Sequence, residues 1–263
     1  MQPSTIRAGQ AGFVRDVTAI AGRALRAIPR DLEAIVPPVF IALFFFVVNI
    51  GTLERLTERS IGGLDYKAFM MATAILLGVT GVSRAGALVL DVENGYFDRL
   101  LLTPVRRLAI LLGLMVADVT VAAAITVPIV LLGLALGVNF KTGLPGVLIF
   151  VLMASLWSLA FAGFGYAIAL KTGNPAAVNS AFLLFFPFLF LTSSYVPRSQ
   201  LTGWLATVAA WNPVTYLLDG LRSLAMQGWH WDELGKALLA IVIVGAVSMS
   251  LCFGALRGRI RQS

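Results

Sequence analysis

IALFFFVVNI, residues 41–50, lies inside a run from Ala34 to Leu53 that contains no Asp, Glu, Lys or Arg. A hydrocarbon core of about 30 Å is crossed by roughly 20 predominantly apolar residues in a helix, so this run predicts a membrane span. The composition agrees, because 59% of the 263 residues are hydrophobic and only 13% are charged, unlike a soluble globular domain. We therefore expect an all-α integral membrane protein.

Five further apolar runs predict five more spans. A seventh run, Ser199 to Leu218, is broken by Gly203 and by Asn212-Pro213, which leaves it too short to cross, so we interpret it as interfacial or re-entrant. The whole chain is expected to form one transmembrane domain, 1–263. Its predicted segments are a cytoplasmic amphipathic segment at 1–33, spans at 34–52, 67–90, 108–138, 144–170, 176–194 and 235–256, a cytoplasmic segment at 91–107, an external region at 195–234 and a cytoplasmic tail at 257–263.

The basic residues predict the orientation of the spans. Arginines cluster before the first span and after the last one, and the positive-inside rule then places both termini in the cytoplasm. An even number of crossings follows, which also puts Arg99, Arg106, Arg107 and Lys171 in cytoplasmic loops. The same rule explains the net charge of +7 without nucleic acid, so anionic lipid headgroups are the expected counterparts.

The segment from Phe13 to Ile28 has the pattern of an amphipathic helix. Its apolar residues fall on one arc at 100° per residue, with Arg15, Arg23 and Arg26 opposite. Such a helix is expected to lie in the cytoplasmic headgroup layer before the first span. A helix that simply packs against protein is the alternative.

The sequence contains few of the residue patterns that catalytic sites require. The single histidine, His230, lies in WHWDE and fits an aromatic membrane interface better than a zinc site or a catalytic base. Lys236 follows a glycine, but Ala237 stands where a phosphate-binding loop needs Ser or Thr. We expect no enzyme, no metal and no cofactor in this chain. If it is an active transporter, an ion gradient or a separate ATPase must supply the energy.

Arg84 and Asp118 are the only charges well inside predicted spans. Each costs about 2.5–3.5 kcal/mol in a span if it is unpaired. Helical rise places both in the cytoplasmic halves of adjacent antiparallel helices, so they can pair. A structural ion pair or hinge contact is our hypothesis, and proton coupling or snorkelling to the membrane edge are the alternatives.

DVENGYFDRLLLTPVRR, residues 91–107, is too polar to enter lipid. Apolar side chains at helical spacing alternate with charges, and an ordinary loop between spans rarely exposes three adjacent leucines. We therefore predict a docking surface for another protein. The residues assigned to it are Glu93, Gly95, Tyr96, Asp98, Arg99, Leu101, Leu102, Pro104, Arg106 and Arg107.

Two patterns here resemble the type-2 ABC exporter permeases. One is E-x-G-x-x-x-x-L-L-x-T-P-x-R from Glu93 to Arg106, and the other is N-P-x-x-Y-x-x-x-x-x-R, which contains Asn212, Pro213, Tyr216 and Arg222. The resemblance covers nearly the whole chain, including the N-terminal amphipathic helix. It implies six spans and a dimer with a second permease subunit, either identical or different. It also implies two cytoplasmic ATPase subunits that hold ATP and Mg²⁺ and drive the cytoplasmic coupling helix.

The same resemblance implies short re-entrant external helices between Leu201 and Trp229. The short first external loop, Thr52 to Tyr66, is similar to that of compact drug or glycolipid exporters. Substrates of such exporters are expected to enter between the first and fifth spans of the two subunits. Candidates for that path are Phe44, Phe45, Phe46, Phe185, Phe186 and Phe188, with lipid-facing aromatics as the alternative.

Three functions remain open from the sequence. An ATP-driven exporter permease in the bacterial plasma membrane requires an ATPase partner. An ion-coupled carrier requires a pH dependence that Asp118→Asn abolishes. A membrane scaffold shows no solute flux. An apolar path suits drugs, lipids and lipid-linked glycans alike.

Overall fold

The computed structural model describes residues 12–30, 35–80, 82–94 and 107–260 of the chain. Within these ranges every regular element is helical, which confirms the all-α class. Short turns at Ile28–Arg30, Arg198–Gln200 and Ser223–Gln227 are 3-10, 3-10 and π-helical. The α-helices, numbered in chain order, are α1 Phe13–Ala27, α2 Val36–Ser60, α3 Tyr66–Val79, α4 Ala85–Glu93, α5 Arg107–Ala135, α6 Gly143–Thr172, α7 Pro175–Phe190, α8 Gly203–Trp211, α9 Pro213–Arg222 and α10 Trp231–Ile260.

Four of these helices are long and apolar enough to cross a membrane. They are α2, α5, α6 and α10, and they coincide with the predicted first, third, fourth and sixth spans. Helices α3 and α7 are apolar but have only 14 and 16 residues. At 1.5 Å per residue they are about 21 and 24 Å long, which is less than a full hydrocarbon core.

The predicted second span, 67–90, is divided in the structure. Helix α3 ends at Val79, and the next residue, Thr80, is extended with φ −79° and ψ 131°. Side chains of α6 support this end: the Ser158 hydroxyl donates to the Val79 carbonyl at 2.9 Å, and Trp157 Nε1 donates to Thr80 Oγ1 at 2.9 Å. A break inside an apolar protein is tolerated where neighbouring groups replace the lost helical bonds. The sequence analysis did not anticipate this division.

Helix α7 ends at Phe190, whereas the predicted fifth span runs to residue 194. Pro187 lies in its last turn and has no N–H to donate. The hydroxyls of Thr192 and Ser194 both donate to the Leu189 carbonyl at 2.6 Å. These side-chain bonds compete with the helical ladder and end the helix. At its start, Asn174 caps the helix and Pro175 takes the first position, where proline is favoured.

Helix α1 packs along the N-terminal half of α5. Gly113 of α5 makes the close approach possible, because a Cβ at that position would lie 2.6 Å from Ile20 Cγ2. Ala21 and Ala24 are buried in the contact. Arg15, Arg23 and Arg26 are exposed on the opposite face, so the predicted amphipathic arrangement is present while part of the apolar arc contacts protein.

The buried residues form two hydrophobic clusters stacked along the bundle. The first joins α2, α3, α9 and the halves of α5, α6 and α10 that adjoin them. The second joins α1, α4 and the opposite halves of α5, α6 and α10. The break between Val79 and Ala85 lies between the clusters. Buried polar side chains occupy this level, including Asp118, Ser158 and Ser248, whose hydroxyl donates to the Ala160 carbonyl.

Candidate functional site

The predicted docking segment joins α4 to α5. Glu93 is the last residue of α4, and Arg107 is the first residue of α5. The other predicted docking residues lie outside the described part of the chain, so their role stays a prediction. These residues are Gly95, Tyr96, Asp98, Arg99, Leu101, Leu102, Pro104 and Arg106.

Helix α4, which leads into the docking segment, packs against α6 and α7. Ala85, Leu88 and Val89 are buried in the second hydrophobic cluster together with Tyr166 and Leu170 of α6. Packed interiors have few voids and transmit displacement. A shift of α4 must therefore be accommodated by α6 and α7.

The N-terminal end of α4 is held by the carboxyl group of Asp118. The Arg84 backbone N–H donates to Asp118 Oδ1 at 2.8 Å, and the Tyr166 hydroxyl donates to Oδ2 at 2.6 Å. Asp118 is fully buried. The first N–H groups of a helix have no intrahelical acceptor, and a side-chain carboxyl group from another helix supplies one here. It also lies at the positive end of the α4 dipole.

The structure places the backbone of Arg84 in contact with Asp118. The contact described above uses the backbone of Arg84, while the predicted ion pair between the side chains stays a prediction. Tyr166 was missed, because a tyrosine in an uncharged apolar run gives no signal in sequence. A buried carboxyl group does require a donor, but its position in the sequence does not reveal which one.

A second polar cluster surrounds Arg222, the last residue of α9. Its Nη1 donates to the Ser193 carbonyl at 2.8 Å, its Nη2 donates to Thr73 Oγ1 at 3.0 Å, and its Nε donates to the Phe69 carbonyl at 3.2 Å. The guanidinium carbon lies 3.4 Å from the centroid of the Phe69 ring, within cation–π range. Arg222 thus joins α9 to α3 and to the turn after α7.

The charge of Arg222 survives its burial. Loss of water lowers the pKa of Arg222 to about 9, which leaves the side chain protonated at neutral pH. Burial also raises the pKa of Asp219, one turn earlier in α9, and the positive charge of Arg222 opposes that rise. A planar guanidinium with five donors suits a site made of carbonyl and hydroxyl acceptors.

Asn212 and Tyr216 fix the turn between α8 and α9. Asn212 Nδ2 donates to the Phe188 carbonyl at 2.6 Å and to the Leu191 carbonyl at 3.0 Å, while its Oδ1 caps α9 by accepting from the Val214 N–H. The Tyr216 hydroxyl donates to the Ala210 carbonyl at 2.6 Å. Pro213 occupies the first position of α9, where proline is favoured. The four predicted residues of this motif therefore form a structural lock across α7, α8 and α9.

The π-helical turn after Arg222 was not predicted from the sequence. Its carbonyls accept hydrogen bonds from the loop that begins α6: the Lys141 N–H donates to Ala225, and the Thr142 hydroxyl donates to Leu224. The wider π-turn leaves these carbonyls available. It extends the contacts of α9 to the start of the fourth predicted span.

The six phenylalanines predicted for the substrate path lie in different surroundings. Phe44 and Phe188 are exposed, and Phe186 is partly exposed and packs on Phe190. Phe45 is half-buried against Tyr195, whereas Phe46 and Phe185 are buried. Their role in transport stays a prediction.

Metal binding has no support in the described residues, which contain no group of three or more His, Cys, Asp or Glu side chains placed to hold an ion. Cys252 is buried in the second cluster. The polar contacts of the two clusters around Asp118 and Arg222 are hydrogen bonds between helices.

Comparison with known proteins identifies the class. A model of the ABC-2 type transporter family matches residues 15–226. The probable doxorubicin resistance ABC transporter permease protein DrrC of Mycobacterium tuberculosis is 26% identical over 219 residues, covering 82% of this chain and 79% of that protein. The probable multidrug ABC transporter permease YbhR of Escherichia coli is 23% identical over 202 residues, covering 75% of this chain and 54% of that protein. The putative transport permease ycf38 of Pyropia yezoensis is 24% identical over 212 residues, covering 74% and 72% of the two chains.

Permeases of this family are membrane subunits and not themselves enzymes, which confirms the expectation of a transporter subunit. The family also implies an ATPase partner. The chain therefore belongs to the ABC-2 type transporter family and is a multi-pass membrane subunit of an ABC transporter.

Proposed function

We propose that this chain is the permease subunit of an exporter in the bacterial plasma membrane, driven by ATP hydrolysis on a separate cytoplasmic subunit. The substrate is a hydrophobic or amphiphilic molecule such as a drug, a lipid or a lipid-linked glycan. The observation that carries the proposal is the placement of α4, which leads into the docking segment, packs on α6 and α7, and is separated from α3 by a helix break.

The proposed topology has six crossings with both termini in the cytoplasm. Helices α2, α5, α6 and α10 supply four of them, α3 and α4 together supply the second, and α7 with the turn after it supplies the fifth. Helices α8 and α9 are then re-entrant on the external side. Helix α1 lies at the cytoplasmic headgroup level, where its exposed arginines and Val14, 72% exposed, meet the lipid.

The proposed drive path runs from the ATPase through the segment 91–107 into α4. Because Asp118 holds the N–H of Arg84, the residue before α4, to α5 and α6, this end is a pivot and the Glu93 end moves. The external lock around Arg222 keeps α3 and α9 in place while α4 tilts. Two ATPase subunits and a second permease subunit complete the proposed assembly.

The substrate path is proposed on the surface of α2, which one copy of the chain leaves largely uncovered. Phe40, Ile41, Phe44, Val47 and Val48 are each at least 44% exposed. If a second permease subunit faces α2, this apolar surface lines a path between the two subunits. The name of the Mycobacterium tuberculosis relative favours a drug such as doxorubicin as the first substrate to test.

The direct test is copurification of an ATPase. The chain is purified in a mild detergent from its native membranes beside a Glu93→Lys, Arg106→Glu variant, and the copurifying cytoplasmic proteins are identified. The control variant, Glu58→Lys, Arg59→Glu, makes the same charge changes at the exposed far end of α2. We expect an ATPase with the wild type and the control, and a large loss with the Glu93 variant. Absence of an ATPase from a complex-preserving preparation of the wild type contradicts the proposal.

Transport is tested in inverted membrane vesicles that contain the permease and its ATPase. We expect ATP to drive uptake of doxorubicin or of a fluorescent phospholipid, since export from the cell corresponds to uptake into such vesicles. Uptake driven by a pH gradient without ATP supports an ion-coupled carrier instead.

A further inference from the structure

A cleft of about 1120 Å³ lies between α6, α7 and α10, and no residue of α2 lines it. Its walls are apolar and rich in aromatic rings, and it reaches Pro213 at one end and Lys171 at the other. Leu251 and Phe188, on its rim, are 52% and 54% exposed, so the cleft is open on one side. Its volume slightly exceeds the roughly 300–1,000 Å³ that is typical of small-molecule sites.

The dimensions of the cleft fit the chains of a lipid in one leaflet. Its lining runs along α6 from Trp157 to Thr172 and along α10 from Val244 to Gly258. At 1.5 Å per residue this is about 20 Å along the helices. A hydrocarbon core of about 30 Å gives each leaflet about 15 Å, so acyl chains and the start of a headgroup both fit.

Two basic side chains lie at one end of the cleft. Lys171 is exposed at the mouth of the cleft, and Arg257 is exposed next to the lining residue Gly258. Among the lining residues in the described part of the chain, neither Asp nor Glu occurs. A cationic end on an apolar cleft attracts an anionic headgroup whose chains occupy the apolar part.

We infer that this cleft binds an anionic phospholipid of the inner leaflet, with its acyl chains between α6, α7 and α10 and its headgroup at Lys171. The inference rests on the proposed orientation, which places Lys171 on the cytoplasmic side. The cleft shares Phe185 and Phe188 with the phenylalanines predicted for the substrate path, but it does not include the surface of α2 where that path is proposed. A lipid held here fills the space between α7 and α10 and supports α7, which α4 also contacts.

The test measures retained lipid by native mass spectrometry. Purified protein is incubated in micelles with equimolar phosphatidylglycerol and phosphatidylcholine of identical acyl chains, and the lipid bound after detergent exchange is counted. We expect the wild type to retain phosphatidylglycerol in preference to phosphatidylcholine. Lys171→Gln should lower that preference about fivefold, the equivalent of about 1 kcal/mol for one basic side chain near an anionic surface.

Gly254→Phe tests the apolar part of the site. Gly254 lines the cleft, and a Cβ there has no heavy atom within 4 Å, so the ring enters open space and should lower retention of both lipids. Two controls make the same substitutions at positions outside the cleft. Gly235→Phe lies on the same helix and also has open space, and Lys141→Gln removes an exposed charge elsewhere. Both should behave like the wild type.

Equal retention of the two lipids by the wild type overturns the inference. Wild-type retention in both Lys171→Gln and Gly254→Phe also overturns it. The measurement needs no ATPase, so its failure is distinct from a failure of the proposed transport function, which copurification tests.

Discussion

Replacing Asp118 by alanine removes the acceptor for two buried hydrogen bonds, one from the Arg84 backbone N–H and one from the Tyr166 hydroxyl. A buried donor left without a partner costs about 1–3 kcal/mol. We therefore expect Asp118→Ala to lower the free energy of unfolding by about 2–6 kcal/mol. The start of α4 should also loosen, since the Arg84 N–H just before it loses its acceptor.

Asp118→Asn separates this structural role from proton coupling. The asparagine oxygen can accept from the Arg84 N–H, and its NH₂ group can donate to the Tyr166 oxygen. We expect a loss of at most about 1 kcal/mol, because both contacts keep a partner. ATP-driven transport by this variant should keep its pH dependence.

SDS titration of the purified protein in detergent micelles measures these free energies, with tryptophan fluorescence as the signal. Thr120→Ala is the control, because the Thr120 hydroxyl is exposed and donates to the Val116 carbonyl of its own helix. A change within about 0.5 kcal/mol is expected. In a double-mutant cycle, Asp118→Ala and Tyr166→Phe should be less than additive, since they remove the same bond. An Asn variant as unstable as the Ala variant, or an Ala variant as stable as wild type, refutes the capping role.

Gly113→Ala should separate α1 from α5 at a cost of about 1–3 kcal/mol, because its Cβ would lie 2.6 Å from Ile20 Cγ2. The rate of proteolysis in the α1 segment measures this separation. The control Gly51→Ala, whose Cβ meets open space, should leave that rate unchanged. Arg222→Lys should lower the free energy of unfolding by about 3 kcal/mol or more, because an ammonium cannot reproduce the guanidinium fork; full stability of that variant in SDS titration contradicts the external lock. Asn212→Ala should cost about 2–3 kcal/mol, the sum of a lost helix cap and two lost bonds to carbonyl groups, and a loss below about 0.5 kcal/mol would show that α8 and α9 are held by packing alone.

Apolar runs predicted the helices that lie inside one continuous run, but not their ends. Helix α2 continues to Ser60, beyond the charge at Glu54 that ends the predicted span. A charged residue ends the lipid-compatible stretch of a helix but does not interrupt its hydrogen bonds. Hydropathy therefore located the first span and underestimated its helix.

The division of the second span could not be predicted in the same way. The run Ala68 to Leu90 carries a single charge at Arg84, and its hydropathy does not show whether the helix is continuous. The break depends on acceptors and donors supplied by α5 and α6, among them Asp118 and Ser158. Those contacts join residues 34 to 79 positions apart, beyond the reach of any local pattern.

For the motif around Asn212, the sequence identified the residues but not their contacts. Its resemblance to a family selected Asn212, Pro213, Tyr216 and Arg222, and the structure shows what each side chain contacts. Thr73 and Ser193, which accept hydrogen bonds from Arg222, were not selected, because small hydroxyl residues are common in apolar helices. The docking residues Gly95 to Arg106 remain predictions.

The break divides the second span into α3 and α4, which lie in different hydrophobic clusters, while α5, α6 and α10 run through both clusters. No backbone hydrogen-bond ladder runs through the break among the residues described on either side, and the start of α4 is instead bonded to Asp118, which also accepts from Tyr166. Under the proposed drive, tension applied at Glu93 would reach these two side chains before it reaches α3. With nine residues, α4 is a lever about 13 Å long, and a tilt of about 10° moves its free end by about 2 Å. If an ATPase drives α4 as proposed, the cluster that contains α3, α9 and Arg222 can stay still during that stroke, and the displacement of Glu93 passes to α6 and α7, on which α4 packs.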